Sequence, residues 1–214
     1  RGAVTLGSQP TISAYVLPAV LARFLGRHPG VILRLREGTT EAVEERVAAG
    51  ELDLGLMNLP VRRLDLAAQK LWQEDYMLVV PAGHRLASVT RAVALTEVVN
   101  EPLIIAPGIP PTAALLAACD ERGVQPNIAI ETDTMETVRR MVERGLGVSL
   151  LPRTMAQASD ARRMRAVEIT RGALRRQVAL VHRGETYLTS AAKALRAFIV
   201  EMLVAGGRGA RTRT

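Results

Sequence analysis

The sequence predicts an α/β protein with largely parallel sheets, organised as two similar subdomains. Strand-like and helix-like hydrophobic periods alternate along all 214 residues, the pattern of repeated βα units. A stretch beginning Thr39-Thr40-Glu41-Ala42-Val43 and continuing through Val47 to Gly50 is echoed 95 positions later by Thr134-Met135-Glu136-Thr137-Val138, Val142 and Gly145. Each copy reads strand, short polar loop, helix, glycine, apolar strand, proline. Finally, 48% hydrophobic residues leave ample surface for burial, and with only 3% aromatics the cores are filled by Leu, Val, Ala and Ile.

The elements follow in order. Residues 4–6 alternate as a strand and lead into the loop Gly7-Ser8-Gln9-Pro10-Thr11. Helical spacing then runs to about Arg27, with Leu17, Leu21, Phe24 and Leu25 on one face. Pro18 lies inside that run and demands a kink or a restarted helix. His28-Pro29-Gly30 ends it, and residues 31–36 alternate as a strand with Val31, Leu33 and Leu35 on one side. Residues 41–49 form a helix stopped by Gly50, and 52–57 a short strand interrupted by Asp53. Strands are expected at 66–71 and 76–80, one helical turn at 96–99, and a buried strand at 103–106. The loop Pro107-Gly108-Ile109-Pro110-Pro111 opens a helix through Glu121, and Pro111 suits its first turn; Gly123 caps the other end. A strand at 127–131, a helix at 136–144 and strands at 148–151, 167–169 and 177–182 precede a closing helix over 188–203.

Composition excludes several function classes. The single cysteine, Cys119, rules out an internal disulfide framework and a multi-cysteine zinc site; among Leu115, Leu116, Ala117 and Ala118 it reads as a buried helical thiol. No apolar run reaches the roughly 18 residues of a membrane span, and the first seven residues alternate without a signal-peptide core. A cytoplasmic protein without membrane contact is expected. The net charge of +7 is a nucleic-acid signal only at first sight. Arg208, Arg211 and Arg213 lie in a Gly-rich stretch, 206–214, expected to be disordered. Arg162, Arg163, Arg165, Arg171, Arg175 and Arg176 read as a solvated basic face, and two Phe, three Tyr and one Trp offer few platforms for bases.

Catalytic signatures are equally thin. Ser8 is outside any G-x-S-x-G elbow, His28, His84 and His182 lack metal-ligand spacing, and Gly145-Leu146-Gly147 precedes a strand rather than following one. Glu41, Glu44 and Glu45 read as a solvated helix face. No catalytic residue, metal or cofactor is expected, although an enzyme on the same architecture stays open because fold does not fix function. Three hydroxyls, on Ser8, Thr39 and Thr134, stand at strand-to-helix junctions. Such positions cap helices, and Asp133 and Glu136 have capping-box spacing. Helix starts also present N–H groups to small anions, beyond the carboxyl ends of the strands.

The order Gly7-Ser8, Leu17-Pro18, Phe24, Pro29 and the run from Glu44 to Asp53-Leu54-Gly55-Leu56 carries a family resemblance. So do Trp72-Gln73-Glu74-Asp75-Tyr76-Met77-Leu78-Val79-Val80-Pro81, Gly83-His84-Arg85-Leu86-Ala87, and Val138 through Gly145-Leu146-Gly147-Val148-Ser149-Leu150-Leu151-Pro152. From about residue 2 to 203 the chain resembles the effector-binding domain of LysR-type transcriptional regulators. The resemblance implies a type 2 periplasmic-binding-protein fold, two Rossmann-like subdomains joined by two crossover strands near 74–81 and 171–177. One subdomain would comprise 1–74 and 177–205, the other 75–176.

It also implies a ligand-sensing role in transcription regulation, with a small organic effector, anionic in character, in a cleft between subdomains. Carried over by position, the contacts fall on Ser8 and Thr39, with Gln9, Thr40, Leu59 and Pro60 as neighbours; Pro107, Gly108, Ile109 and Thr134 line the other wall. No arginine occupies these loops, and Arg62 and Arg63 nearby are expected to be solvated, so a single carboxylate fits better than a multiply charged ligand. The resemblance further implies a homodimer, tetramers in the full-length regulator, and DNA contact only through an N-terminal winged helix-turn-helix outside these residues. The rival reading is a free-standing solute-binding protein feeding a transporter.

Overall fold

A computed structural model describes residues 2–170 and 174–209, with side chains described as far as residue 204. The chain folds into two units, residues 1–73 with 176–214, and residues 74–175.

In the first unit β1 (Gly2–Ser8) lies between β2 (Val31–Glu37) and β3 (Leu54–Asn58), parallel to both. Beyond β3 come β9 (Arg175–His182), antiparallel to it, and the first half of β4 (Ala67–Pro81). Pro10 opens α1 (Pro10–Tyr15), the chain breaks at Val16, and Pro18 sits in the first turn of α2 (Leu17–Arg27). The helix therefore restarts, which leaves the missing proline N–H at a position where no intrahelical bond is lost. One face of the sheet, with Val4, Leu6, Leu54, Leu56, Val178 and Leu180, packs on Ile12, Leu17, Val20 and Phe24 of α1 and α2. Leu195 and Ile199 of α7 (Ser190–Gly209) complete that core. The opposite face, with Met57 and Val181, packs on Val43 and Val47 of α3 (Thr40–Ala48). Asp53, just before β3, ties that strand to β1. Its N–H donates to the Thr5 carbonyl (3.0 Å) and its carboxylate accepts the Thr5 N–H (2.7 Å).

In the second unit the latter half of β4 pairs antiparallel with β7 (Ser149–Pro152) and with β8 (Met164–Val167). A short parallel pair is made by β5 (Leu103–Ile105) and β6 (Ile128–Glu131). Three helices accompany them, α4 (Pro110–Glu121), α5 (Met135–Glu143) and α6 (Arg153–Gln157). Leu78, Val80, Leu103, Ile105, Leu115, Val148 and Leu150 form the core, and Cys119 is wholly buried beside them. Among the described residues no helix is long and apolar enough to cross a membrane.

Several expectations change. The sheets are mixed rather than largely parallel, because β4 and β9, the strands along which the chain passes between units, run against β7 and β3. The expected strands at 66–71 and 76–80 are one strand, β4. The polar run between them is no break, since buried Glu74 accepts the Thr154 N–H (2.9 Å) at the start of α6, a helix the hydrophobic pattern does not announce. The strand expected at 167–169 ends at Val167, with Ile169 adding only an isolated bridge to Val93. The last helix continues through Gly209, past the expected start of a disordered tail at 206, and 210–214 lie outside the described residues. Arg171 and the start of the expected crossover at 171–177 also lie outside them. Arg176 belongs to no solvated face: it is buried, and its Nη1 donates to Thr11 Oγ1 (2.8 Å).

Gly147 is demanded by the packing of β7 beside β5, because a Cβ there would run into the Pro102 carbonyl oxygen. Gly147→Ala should destabilise the chain by about 1–3 kcal/mol through overpacking, read as a lower urea midpoint. His182 closes β9, buried, with Nδ1 accepting the Gly184 N–H (3.0 Å). Burial, and then the neighbouring Arg196 cation, push its pKa below the ordinary value of 6.5. The folded chain thus holds the imidazole neutral while the unfolded chain protonates it. Its contribution is complete above about pH 6.5 and is lost as pH falls through the lowered folded value. Unfolding free energies measured from pH 7 to pH 5 should fall less steeply in His182→Gln than in the parent chain.

Candidate functional site

Because β1, β2 and β3 are parallel, the segments that follow them emerge at one end of the first unit, where ligands of open α/β sheets bind. Main-chain bonds stitch this rim together. The Gln9 N–H donates to the Leu56 carbonyl (3.3 Å), and the Gly38 N–H to the Ser8 carbonyl (3.1 Å). The Gln9 side chain spans the rim, its Nε2 donating to Thr40 Oγ1 (2.8 Å). Thr39 caps α3, its Oγ1 accepting the Ala42 N–H (3.2 Å). That cap leaves the amides of Thr40 and Glu41 in the first turn without intrahelical acceptors. Leu59 is tied to β9 through its N–H and the Gln177 carbonyl (2.8 Å), and a cis bond joins it to Pro60. The structure thus brings Ser8, Gln9, Thr39, Thr40, Leu59 and Pro60 to one rim.

Ser8 departs from expectation in detail. It is the last residue of β1, wholly buried, and its hydroxyl donates to the Gln9 carbonyl (3.2 Å) instead of capping α1. Glu44 also departs from it. Rather than facing solvent it is 3% exposed, and one carboxylate oxygen accepts the N–H groups of both Arg62 (2.6 Å) and Arg63 (2.5 Å). The loop after Pro60 therefore hangs on α3. The two guanidinium groups point outward and pair with Glu41 (3.7 Å) and Asp65 (2.8 Å).

In the second unit Pro107, Gly108 and Ile109 link β5 to α4 and, with Ile105, Leu116 and Glu131, line an open hollow of about 630 Å³. Gly108 has φ 77°, a left-handed turn that needs glycine. Thr112 fastens the turn, donating to the Ala106 carbonyl (2.7 Å) and accepting its N–H (3.2 Å). Thr134 stands apart from this hollow at the start of α5. Its hydroxyl accepts the Thr137 N–H (3.2 Å) and donates to Thr137 Oγ1 (2.9 Å). The cap is Thr134, not Asp133, and Glu136 closes no capping box but binds Arg139 and Arg140. Among the described residues no cluster of His, Cys, Asp or Glu is placed to hold a metal ion.

Residues 1–204 match the family described as the LysR substrate binding domain. The chain belongs to this family. It is 29% identical over 195 residues to an uncharacterized HTH-type transcriptional regulator, YwbI, of Bacillus subtilis (strain 168), covering 91% of this chain and 64% of that protein. It is 31% identical over 206 residues to a probable hydrogen peroxide-inducible genes activator of Mycobacterium avium, covering 95% and 66%. Among solved structures, HinK, a LysR family transcriptional regulator from Pseudomonas aeruginosa, superposes with a TM-score of 0.78 at 26% identity, covering 94% of this chain and 70% of that one. The LysR substrate binding domain thus spans about two thirds of the length of the curated relatives it matches. Those relatives are transcriptional regulators, and the fold is the two-subdomain, periplasmic-binding-protein-like one.

Sequence reasoning missed the roles of Glu44 and Arg176. Arg176 had a signal, since it shares strand parity with Val178 and Leu180; Glu44 had a weaker one, lying on the stripe of Val43 and Val47. Glu44→Ala should cost about 1–3 kcal/mol, because two main-chain amides lose a charged acceptor. Limited trypsin digestion should then cut at Arg62 and Arg63 sooner; an unchanged digestion rate would show that something else holds the loop.

Proposed function

We propose that this LysR substrate binding domain is the sensor of a transcription regulator, and that a small organic anion, a single carboxylate, binds at the rim of its first unit. The carrying observation is the donor set around α3: the first-turn amides of Thr40 and Glu41, the Thr39 and Thr40 hydroxyls, and the Gln9 carboxamide bonded to Thr40. Helix starts favour negative charge because their N–H groups are unpaired and the helix dipole is positive there. Arg62 and Arg63 are turned to Glu41 and Asp65, which supports a ligand of one charge over a multiply charged one. The two units serve as the two subdomains of the sensor. Pro107, Gly108, Ile109 and Thr134 of the second are its further effector contacts, the first three as an apolar wall.

The same reading makes the protein a cytoplasmic, non-enzymatic regulator. Ser8, which lies outside any nucleophile elbow, is buried and donates its proton to a carbonyl. Promoter DNA would be held by a winged helix-turn-helix outside these residues. Self-association into a homodimer, and tetramers of the whole regulator, is supported by Ile32 on β2 and Ile128 on β6, exposed on strands at sheet edges. Peroxide sensing by an internal disulfide is disfavoured, since Cys119 is the single cysteine and burial pushes its thiol pKa up.

Thermal-shift and calorimetric titrations with a panel of small carboxylates, alongside the matching amines and amides, test the site. Carboxylates should raise the melting temperature, and Gln9→Leu and Thr40→Val should each weaken binding about ten- to hundred-fold, the worth of one hydrogen bond to a charged group. Equal affinities in the parent and both variants would overturn the placement.

A further inference from the structure

We infer that the effector carries a hydrogen-bond donor next to its carboxylate, as a hydroxy acid or an amino acid does, and that Ser13, Asn58 and Gln9 read that donor. This rests on the anion site proposed above.

Among the side-chain atoms of the first unit that are buried with no partner are three oxygens, Ser13 Oγ, Asn58 Oδ1 and Gln9 Oε1. Ser13 as a whole is only 6% exposed. Buried polar groups are paired almost without exception, and each one left unpaired costs stability, so these three call for an explanation. They sit on adjoining segments. The Ser13 N–H donates to the Gln9 carbonyl (3.0 Å), which sets the two residues one turn apart on the same side of α1. Leu54, Leu56 and Asn58 alternate onto one face of β3, and Leu54 and Leu56 pack in the core that holds Ile12 of α1. Ser8 pairs with Leu56 and the Gln9 N–H donates to the Leu56 carbonyl (3.3 Å), so α1 begins beside the end of β3. The last side chain of that strand row therefore ends against α1.

The three oxygens share one chemistry. Two carboxamide oxygens accept and a hydroxyl accepts or donates, so the complement is an O–H or N–H group. Gln9 connects this set to the anion site, its Nε2 on Thr40 and its Oε1 in the buried set. The two poles of one carboxamide are separated by a single carbon atom. A ligand that meets both carries its donor close to its carboxylate, as hydroxy and amino acids do on neighbouring carbons.

Calorimetric titration of the whole chain with matched pairs decides the matter: lactate against propionate, malate against succinate, alanine against propionate. In at least one pair the donor-bearing acid should bind ten-fold tighter or more. Ser13→Ala and Asn58→Leu should remove that preference while leaving the donor-free acid's affinity unchanged. Equal affinities within every pair, or a preference that survives both variants, overturn the inference while the anion site stands. If no acid of any pair binds, the anion site fails and the inference fails with it. The ligand-free melting temperature supplies a second reading. Ser13→Ala and Asn58→Leu should hold or raise it, since each deletes a buried polar group kept for a ligand. A drop in both would assign these atoms to bonds with structural water, and would also overturn the inference.

Discussion

The pairing of β1 with β2 on one side and β3 on the other decides where the polar side chains of the first unit stand. Both pairings are parallel, so Ser8, Glu37 and Leu56 lie level and the three segments leaving the strands emerge together. A slip of one residue would turn every side chain of β1 to the opposite face. Register is held at the far end by Asp53, which both donates to and accepts from Thr5. Its carboxylate takes a strand N–H that would otherwise lack a partner. The hydrophobic alternation of β1 and β3 then closes two cores, one with α1, α2 and α7 and one with α3. The polar rim exists because both cores end at the same height.

Buried charge holds the parts that apolar packing does not reach. Glu44 anchors the segment after Pro60, Glu74 fixes the start of α6, and Arg176 joins β9 to α1 through Thr11. Each acts through directional hydrogen bonds to main-chain amides or a hydroxyl, so each specifies a geometry as well as contributing energy. Removing one partner of such an arrangement is costly, because the other is left buried. These residues carry no ligand chemistry of their own. They determine whether the loops that do are held still.

How much of this was legible in the sequence depends on the distance over which each feature is determined. Local signals read well: Pro18 marks a restarted helix, Thr39 and Thr134 cap helices, and Gly50, Gly123 and Gly145 end them at positive φ. The α/β alternation and the echoed helices likewise follow from periodicity. Features that depend on partners distant in sequence did not read. Glu44 looked like one of three surface carboxylates until the loop 18 residues on was seen to fold back over it. The polar run in β4 looked like a gap because the partner of Glu74 lies 80 residues away. At the candidate site Thr39 was legible from its place after a strand, while Gln9 and Thr40 came only with the family resemblance. Ser13 and Asn58 were not legible, since an unpaired buried atom has no signature in a linear sequence.

The echo between the two units holds a final asymmetry. Shifted by 95 positions, Glu44 of α3 falls on Arg139 of α5, and both are buried, at 3% and 8% exposure. The duplicated helix thus keeps a slot for an ion but has inverted its sign. In α3 the anion looks outward to the amides of another segment, whereas in α5 the cation is clasped by Glu136 and Glu143 of its own helix. The two matching helices are in this way not interchangeable. A recombinant in which α5 replaced α3 would present a cation to N–H groups that need an acceptor, so the halves can diverge in sequence while neither can stand in for the other.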